Sequence, residues 1–236
     1  MKLLAFETAT EACSVALHVD GRVLERFEVA PRRHAELSLP WAEQLLAEAG
    51  LVRSQLDGIA LSRGPGAFTG VRLAIAIAQG IALALDRPLL PVSTLQTLAL
   101  RAPHTAPRVL ACIDARMGEL YSASYLRDAA GDLVLQEHER LLAPDAVDVP
   151  GEASDWAGVG SGFAAGEGVL ASRLQSRLAL VDAQALPRAA DVLQIAVPMM
   201  ARGEGIAPEL VQPAYLRDNV ALTLIEQQAL RASRQS

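Results

Sequence analysis

The sequence predicts an α/β protein built from two similar halves. Two apolar strand patterns, at 3–7 and 109–114, end in the carboxylates Glu7 and Asp114, and each is followed by two more strand patterns. The carboxylates are 107 positions apart, so the repeat is a whole structural unit rather than a short motif. Strand patterns alternate with helical patterns after each three-stranded unit, which favours a mixed α/β fold. The 236-residue chain is long enough to bury a sizeable core in each half.

Turn and cap signals place the elements of the first half. Asp20-Gly21 indicates a tight hairpin between the second and third strands. Gly50 ends the first helical pattern, and Pro40 marks either its start or a kink. Ser93 is the predicted N-cap of the third helix. The predicted strands are 3–7, 12–19, 23–29, 59–62 and 87–92, and the predicted helices are about 35–49, 70–85 and 94–101.

The pattern restarts after the proline-containing segment 103–107 and then becomes less regular. A helix of undefined length is expected after Gly160-Ser-Gly-Phe163. The predicted strands are 109–114, 120–126, 133–141, 156–159 and 178–181, followed by a helix over 189–202 and irregular chain over 208–217. We divide the chain into an N-terminal half (1–102), a C-terminal half (103–220) and a tail (221–236).

Composition argues against several functions. The net charge is −6 and Lys2 is the only lysine, so the chain lacks the cationic surface that drives nucleic-acid binding and has no interior lysine for a Schiff base. The N-terminus shows no signal-peptide pattern, and the longest apolar run is shorter than the roughly 20 residues of a membrane span. We therefore expect a cytoplasmic protein without membrane contact. Cys13 and Cys112 fall in predicted strands, where thiols act as small apolar side chains.

The most distinctive local motif is the glycine–proline loop Ser62-Arg-Gly-Pro-Gly-Ala-Phe-Thr-Gly-Val-Arg72. It fits neither phosphate-binding template, because only three residues separate Gly66 from Gly70 and Val71 stands where a P-loop has lysine. A helix N-terminus can still bind phosphate, but a rigid strand-to-helix turn is the favoured interpretation. The predicted structural residues are Gly64, Pro65, Gly66, Thr69 and Gly70, with Thr69 near the cap position.

Glu7 and Asp114 form the best candidate pair for chemistry. In a duplicated fold their strands lie at the mouth of a shared cleft, where two carboxylates can hold a metal or orient water. The alternative, equally weighted, is that each carboxylate caps its own turn. The four histidines offer no zinc-binding spacing.

The helix predicted over 70–85 is the strongest interaction signal. Only Arg72 and Gln79 are strongly polar in it, and a helix that is apolar on nearly every side needs cover on each side. Ala74, Ala78 and Ala82 form a small-residue ridge along which another helix can approach closely. We expect this ridge to be a docking surface and Ala78→Arg to disrupt association without unfolding the chain. The alternative is that the chain's own elements cover the ridge.

Five motifs, in order, are similar to the pattern of the bacterial TsaB (YeaZ) family. They are Glu7-Thr-Ala-Thr-Glu-Ala-Cys-Ser14, Gly64-Pro-Gly-Ala-Phe-Thr-Gly-Val-Arg72, Pro91-Val-Ser-Thr-Leu95, Asp114-Ala-Arg-Met-Gly-Glu-Leu-Tyr121 and Pro213-Ala-Tyr-Leu-Arg217. The resemblance extends from residue 1 to about 220. It implies the ASKHA (actin-like ATPase) fold, with two RNase H-like halves of which the second is reduced.

The resemblance also implies a function. TsaB-like proteins are non-catalytic partner subunits in the synthesis of threonylcarbamoyladenosine beside the tRNA anticodon. They pair with the catalytic TsaD, work with the ATPase TsaE, and form homodimers when alone. ATP and metal are expected on the partners, so no cofactor, metal or catalytic residue is expected here, and tRNA is contacted only through the complex. Where TsaD-type proteins carry a metal-binding His-x-x-x-His, this chain has Thr94 and Leu98.

The resemblance places the pairing surface on the first two helices, about 34–49 and 70–85. The candidate interface residues are Leu37, Trp41, Leu45, Val71, Arg72, Ala74, Ile75, Ala78, Gln79 and Ala82. The alternative from a different class is a free-standing ASKHA-type ATPase or phosphotransferase that uses Glu7 and Asp114 around Mg-ATP. Two departures from the family are the Glu7 position, where ASKHA enzymes commonly have Asp, and the apolar stretch Val220–Ile225, where relatives often end in basic residues.

Overall fold

A computed structural model describes residues 1–217 of the chain. Its first half contains a five-stranded sheet in the order β3-β2-β1-β4-β5. β1 pairs antiparallel with β2 and parallel with β4, which pairs parallel with β5. The strands are β1 (Lys2–Glu7), β2 (Ala12–Val19), β3 (Arg22–Val29), β4 (Gly58–Ser62) and β5 (Leu89–Val92).

Two helices cover one face of this sheet. They are α1 (His34–Glu48) and α2 (Phe68–Leu85), and both contribute to a core with the apolar side chains of β1, β2 and β4. Pro40, the seventh residue of α1, lies inside the helix and does not end it, although a proline there removes one i→i−4 backbone hydrogen bond. A third helix, α3 (Thr94–Ala99), begins after β5, and Ser93 caps it by accepting a hydrogen bond from the Gln96 amide, as predicted.

The second half repeats the first sheet. Its strands are β6 (Arg108–Arg116), β7 (Glu119–Arg127), β8 (Leu133–Leu135), β9 (Arg140–Leu142), β10 (Trp156–Val159) and β11 (Leu178–Asp182). The order β8-β7-β6-β10-β11 matches β3-β2-β1-β4-β5 position by position, so the predicted duplication is confirmed. The architecture is the ASKHA fold with two RNase H-like halves.

The second half is reduced, as expected. No helix corresponding to α1 occurs among residues 136–155, and the counterpart of α2 is α4 (Val169–Arg173), only five residues long. The single strand predicted over 133–141 is wrong. The chain instead forms two short strands, β8 and β9, and each pairs with a different part of β7.

The two halves exchange helices. α3 follows the first sheet but packs against β6 and β7 of the second, where Leu95 and Leu98 are fully buried. The last helix, α5 (Ala189–Ala201), follows the second sheet but packs against the first, with Val192 and Ala196 fully buried beside β1 and β4. Each sheet is therefore covered in part by a helix whose sequence belongs to the other half. The boundary at 102/103 stays a prediction, and the predicted tail, 221–236, lies outside the described residues.

Candidate functional site

The glycine–proline loop lies directly against the turn that follows β1. The Ala67 amide donates to the Ala9 carbonyl at 2.7 Å, and the Thr8 hydroxyl donates to the Gly70 carbonyl at 2.7 Å. A Cβ added at Gly66 would stand 2.4 Å from the Ala9 carbonyl oxygen, and one at Gly70 would stand 2.0 Å from the Thr8 carbonyl oxygen. Both positions therefore require glycine, and the space beside the loop is filled by the chain itself.

The structure differs from the prediction at Thr69 and adds a backbone detail at Gly64. The helix begins at Phe68 with Ala67 as N-cap, so Thr69 lies in the first turn, is exposed, and is not the capping residue. Gly64 has a φ of +101°, a left-handed conformation that favours glycine.

Glu7 is completely buried beneath this loop. Its Oε1 accepts a hydrogen bond from the Ala9 amide at 2.7 Å, and its Oε2 accepts one from the Ser62 hydroxyl. Burial raises the pKa of Glu7 to about 7, and the nearby carboxylate of Asp191 acts in the same direction. Both carboxylate oxygens thus accept hydrogen bonds that link the turn after β1 to the end of β4.

Asp114 is engaged in the corresponding turn of the second half. Its Oδ1 accepts from the Arg116 amide at 2.8 Å, and its Oδ2 pairs with the Arg116 guanidinium at 2.9 Å. Each of the two candidate carboxylates therefore caps its own turn, which is the structural alternative stated above. Within residues 1–217, no group of three His, Cys, Asp or Glu side chains is arranged to hold a metal ion.

Thr94 and Leu98, the two residues compared above with a His-x-x-x-His motif, are both fully buried on α3. Leu98 belongs to the core of the second half. The Thr94 hydroxyl has no hydrogen-bond partner among the described residues.

The alanine ridge of α2 faces inward, contrary to the expectation that it forms the docking surface. Ala74, Ala78 and Ala82 are fully buried against the first sheet, together with the adjacent Val71 and Ile75. The small side chains let α2 pack closely on this chain's own strands. These five residues cannot contact a partner directly, so they are corrected from interface to core.

The candidate residues on α1 also face inward. Leu45 is buried in the same core as the alanine ridge, and Leu37 is buried in a smaller cluster with Cys13 and Ala30. Trp41 is half-buried and packs against both clusters. Leu37 and Leu45 are therefore also core residues. On α2, Gln79 is half-buried and donates from Nε2 to the Pro208 carbonyl at 2.8 Å, so it holds the C-terminal segment.

A different stripe of α2 is open to solvent. Phe68 and Leu83 are 52% and 63% exposed, and Ala76 and Gly80 between them are also exposed. Leu39 of the adjacent α1 adds a large exposed apolar side chain. We call these five residues, with Arg72, the outer face. By length and composition α2 could cross a membrane, but its inner side is core packing, and core helices of soluble proteins pass the same test.

The segment 206–217, which we call the strap, borders the outer face. It begins where Ile206 exchanges two backbone hydrogen bonds with Leu89, and the Ala214 amide later donates to the Arg63 carbonyl. Arg217 ends it by pairing with Glu119 at 2.6 Å and donating to the Ala115 carbonyl at 3.1 Å. The strap therefore connects the edge of the first sheet to the β6–β7 turn of the second half.

Arg72 joins the strap to the outer face. Its guanidinium carbon lies 3.5 Å from the centroid of the Phe68 ring and 5.5 Å from that of Tyr215, and its Nε donates to the Tyr215 hydroxyl at 2.7 Å. Sequence reasoning identified Arg72 but missed Phe68, Leu83 and Tyr215. Phe68 and Tyr215 belong to the glycine-loop and Pro213–Arg217 motifs, which was the one available signal for them.

Comparison with known proteins agrees with this architecture. Residues 27–224 match the family described as TsaD, tRNA N6-adenosine threonylcarbamoyltransferase. The chain is 45% identical to the tRNA threonylcarbamoyladenosine biosynthesis protein TsaB of Escherichia coli (strain K12), over 94% of this chain and 96% of that protein. It is 36% identical to TsaB of Haemophilus influenzae (strain ATCC 51907 / DSM 11121 / KW20 / Rd), over 93% and 95%.

A solved structure indicates the same family as these sequence relatives. The chain resembles YeaZ from Pseudomonas aeruginosa with 47% identity and a TM-score of 0.82, covering 91% of this chain and 99% of that one. The similarity therefore extends over both halves of the chain. The chain belongs to the TsaB (YeaZ) family of tRNA threonylcarbamoyladenosine biosynthesis proteins.

Proposed function

We propose that this protein is a non-catalytic partner subunit in the synthesis of tRNA threonylcarbamoyladenosine. It pairs through the outer face with the catalytic TsaD-like subunit, which transfers the threonylcarbamoyl group to the adenosine beside the anticodon. A TsaE-like ATPase acts with the pair, and the chain forms homodimers through the same surface when alone. The observation that carries the proposal is the row of exposed apolar and small residues on α2, which includes Phe68, Ala76, Gly80 and Leu83.

The state of the two carboxylates supports a non-catalytic role. Glu7 is fully buried with both oxygens accepting hydrogen bonds, and Asp114 is paired with Arg116. A carboxylate that positions Mg-ATP must present an oxygen to a metal or to water. The alternative, a free-standing ASKHA-type phosphotransferase, would require the buried Glu7 turn to rearrange and Asp114 to separate from Arg116. ATP and metal are therefore assigned to the partner subunits, and this chain is assigned no cofactor of its own.

Kinship with the catalytic family supports the choice of partner. The match over residues 27–224 includes both α1 and α2, so a TsaD-like protein has elements equivalent to the two helices of the outer face. A surface that pairs with a second copy through a two-fold axis can pair in a similar way with a homologous surface. The same helices can thus serve in a homodimer and in the complex with the catalytic subunit.

Charge supports an indirect relation to tRNA. The chain carries a net charge of −6 with a single lysine, whereas affinity for nucleic acid depends on neutralising phosphates. The catalytic subunit therefore makes the tRNA contacts in this proposal. We assign the protein to the cytoplasm, without membrane contact, because the proposed role is beside tRNA modification enzymes.

Reconstitution tests the proposal. Threonylcarbamoyl transfer to tRNA is measured with the purified TsaD-like and TsaE-like proteins of the same organism, with and without this chain. Added wild-type chain should raise the rate, and a Gly80→Glu variant, which places a charge on the outer face without touching the core, should not. Hydrolysis of ATP by the isolated chain, abolished by both Glu7→Ala and Asp114→Ala, would contradict the non-catalytic role.

A further inference from the structure

The end of α2 nearest the glycine loop differs from the rest of the outer face because it presents a charge. Arg72 is exposed, and it makes no ion pair within residues 1–217. Its Nε donates to the Tyr215 hydroxyl, and its two terminal nitrogens make no hydrogen bond to any other residue of the described range 1–217. A planar fork of this kind is suited to binding a carboxylate through two parallel hydrogen bonds.

The surroundings hold this guanidinium in place before any partner arrives. The Phe68 and Tyr215 rings lie with their centroids 6.3 Å apart and their planes 26° from parallel, and Arg72 packs on the Phe68 ring. The two rings are each 52% exposed, although they are large and apolar. Exposed aromatic rings around an ordered arginine are typical of the residues that dominate the binding energy of an interface. Pre-ordering the side chain lowers the entropy cost of binding.

We propose that Arg72, held by Phe68 and Tyr215, anchors the outer face by receiving a carboxylate of the TsaD-like catalytic partner. This proposal rests on the proposed function and adds to it the chemistry of one contact. It assigns Tyr215, and hence the strap, a positioning role in partner binding. The apolar residues Ala76, Gly80 and Leu83 then supply the close-packed remainder of the interface.

The acids of this chain limit how a second copy could supply the carboxylate. The acidic side chains of α1 are all paired, Glu36 with Arg33, Glu43 with Arg53 and Glu48 with Arg26. A second copy would have to break one of these pairs or use an exposed acid that makes no ion pair within residues 1–217. Three such acids lie around α2, namely Glu11 in the turn beside the glycine loop, Asp86 after α2 and Glu209 in the strap.

The test measures the dissociation constant between full-length variants of this chain and the purified TsaD-like protein of the same organism at two salt concentrations. Arg72→Gln should weaken binding about tenfold or more and reduce its salt dependence. Tyr215→Phe keeps the ring and removes the hydroxyl, so it should weaken binding a few-fold. Arg173→Gln, at an exposed arginine on α4 in the second half, is the matched control and should leave binding unchanged.

Four further variants separate the possible failures. If Gly80→Glu abolishes binding while Arg72→Gln leaves its strength and salt dependence unchanged, the anchor is refuted and the proposed function stands. If neither variant affects binding, the outer face itself is not the partner surface. If Arg72→Gln leaves the binding of the catalytic partner unchanged but lowers homodimerisation, and one of Glu11→Gln, Asp86→Asn or Glu209→Gln lowers homodimerisation as much, Arg72 pairs with a second copy and the proposal is overturned.

Discussion

Ala78 and Gly80 stand two residues apart on α2 and face opposite environments. Ala78 is completely buried against the first sheet, whereas a Cβ added at Gly80 would meet no atom within 4 Å. Residues two apart in a helix are separated by about 200° around its axis, so they lie on opposite sides. α2 therefore has one side that stabilises the fold and one that is available to a partner.

The pair gives a matched test of this division. Ala78→Arg places a charged side chain in a packed apolar core, and we expect it to lower the free energy of unfolding by more than about 3 kcal/mol or to prevent folding. Gly80→Arg should leave the free energy unchanged or raise it by up to about 1 kcal/mol, because glycine is a poor helix former. Urea unfolding followed by circular dichroism measures both. Equal stabilities for the two variants would show that the assigned orientation of α2 is wrong.

The glycine loop offers a second matched comparison. Gly70→Ala forces a methyl group to within 2.0 Å of the Thr8 carbonyl oxygen, so the loop and the β1 turn must separate. We expect a loss of about 2–4 kcal/mol in the free energy of unfolding, through overpacking and loss of the Thr8–Gly70 hydrogen bond. Gly80→Ala, in the same helix with open space around it, should be neutral or stabilising. A Gly70→Ala protein as stable as the wild type would contradict the close approach.

The spacing of apolar residues predicted most of this fold, because apolar residues recur with the period of the helix or strand that buries them. The strands and their duplication follow from runs of apolar residues and from Asp20-Gly21 and similar turns. The error over 133–141 arose because two short strands and the turn between them have the same local composition as one edge strand. The packing of α3 and α5 on the sheet of the opposite half depends on tertiary contacts, so no local sequence pattern could predict it.

The candidate site was predictable only in part. An almost entirely apolar helix indicates two buried sides but not which side meets its own sheet, and small residues suit both kinds of contact. Ala74, Ala78 and Ala82 were therefore assigned to the partner although they pack on β1 and β4. Tyr215 reaches Arg72 across 143 positions of sequence, a distance that periodicity cannot bridge.

The buried carboxylate of Glu7 predicts a specific dependence of stability on pH. Burial raises its pKa from 4.5 to about 7, so the folded state binds the proton more tightly than the unfolded state does. The stability associated with the protonated form is fully present below about pH 4.5 and is lost as the pH rises through about 7. A difference of this size corresponds to about 3 kcal/mol.

Glu7→Gln isolates this contribution. The amide keeps the shape, can accept from the Ala9 amide and can donate to the Ser62 hydroxyl, but it does not ionise. The free energy of unfolding of the variant minus that of the wild type should therefore rise by about 3 kcal/mol between pH 4.5 and 8. Denaturant titrations at four pH values measure the difference, in which groups unaffected by the substitution cancel. A difference that stays constant with pH would show that Glu7 titrates normally.

The docking of α5 on the first sheet depends on a small polar cluster at its N-terminus. The Ser14 hydroxyl accepts from the Ala189 amide at 2.9 Å and donates to Glu25 Oε1 at 2.8 Å, and the same oxygen accepts from the Ala190 amide at 3.1 Å. Two free amides at the start of α5 are thus satisfied by β2 and β3. This contact holds a helix that follows the second sheet onto the first.

Ser14→Ala should therefore loosen the connection between the halves. The substitution leaves the Ala189 amide buried without a partner, which costs about 1–3 kcal/mol in the free energy of unfolding. Because Glu25 still binds the Ala190 amide, the double variant Ser14→Ala/Glu25→Gln should lose less than the sum of the two single losses, since the residues share one network. Hydrogen exchange should show faster exchange at the first turn of α5 than at α1 in the Ser14→Ala protein. Additive losses and unchanged exchange in α5 would mean that apolar packing alone, through Val192 and Ala196, holds the exchanged helix in place.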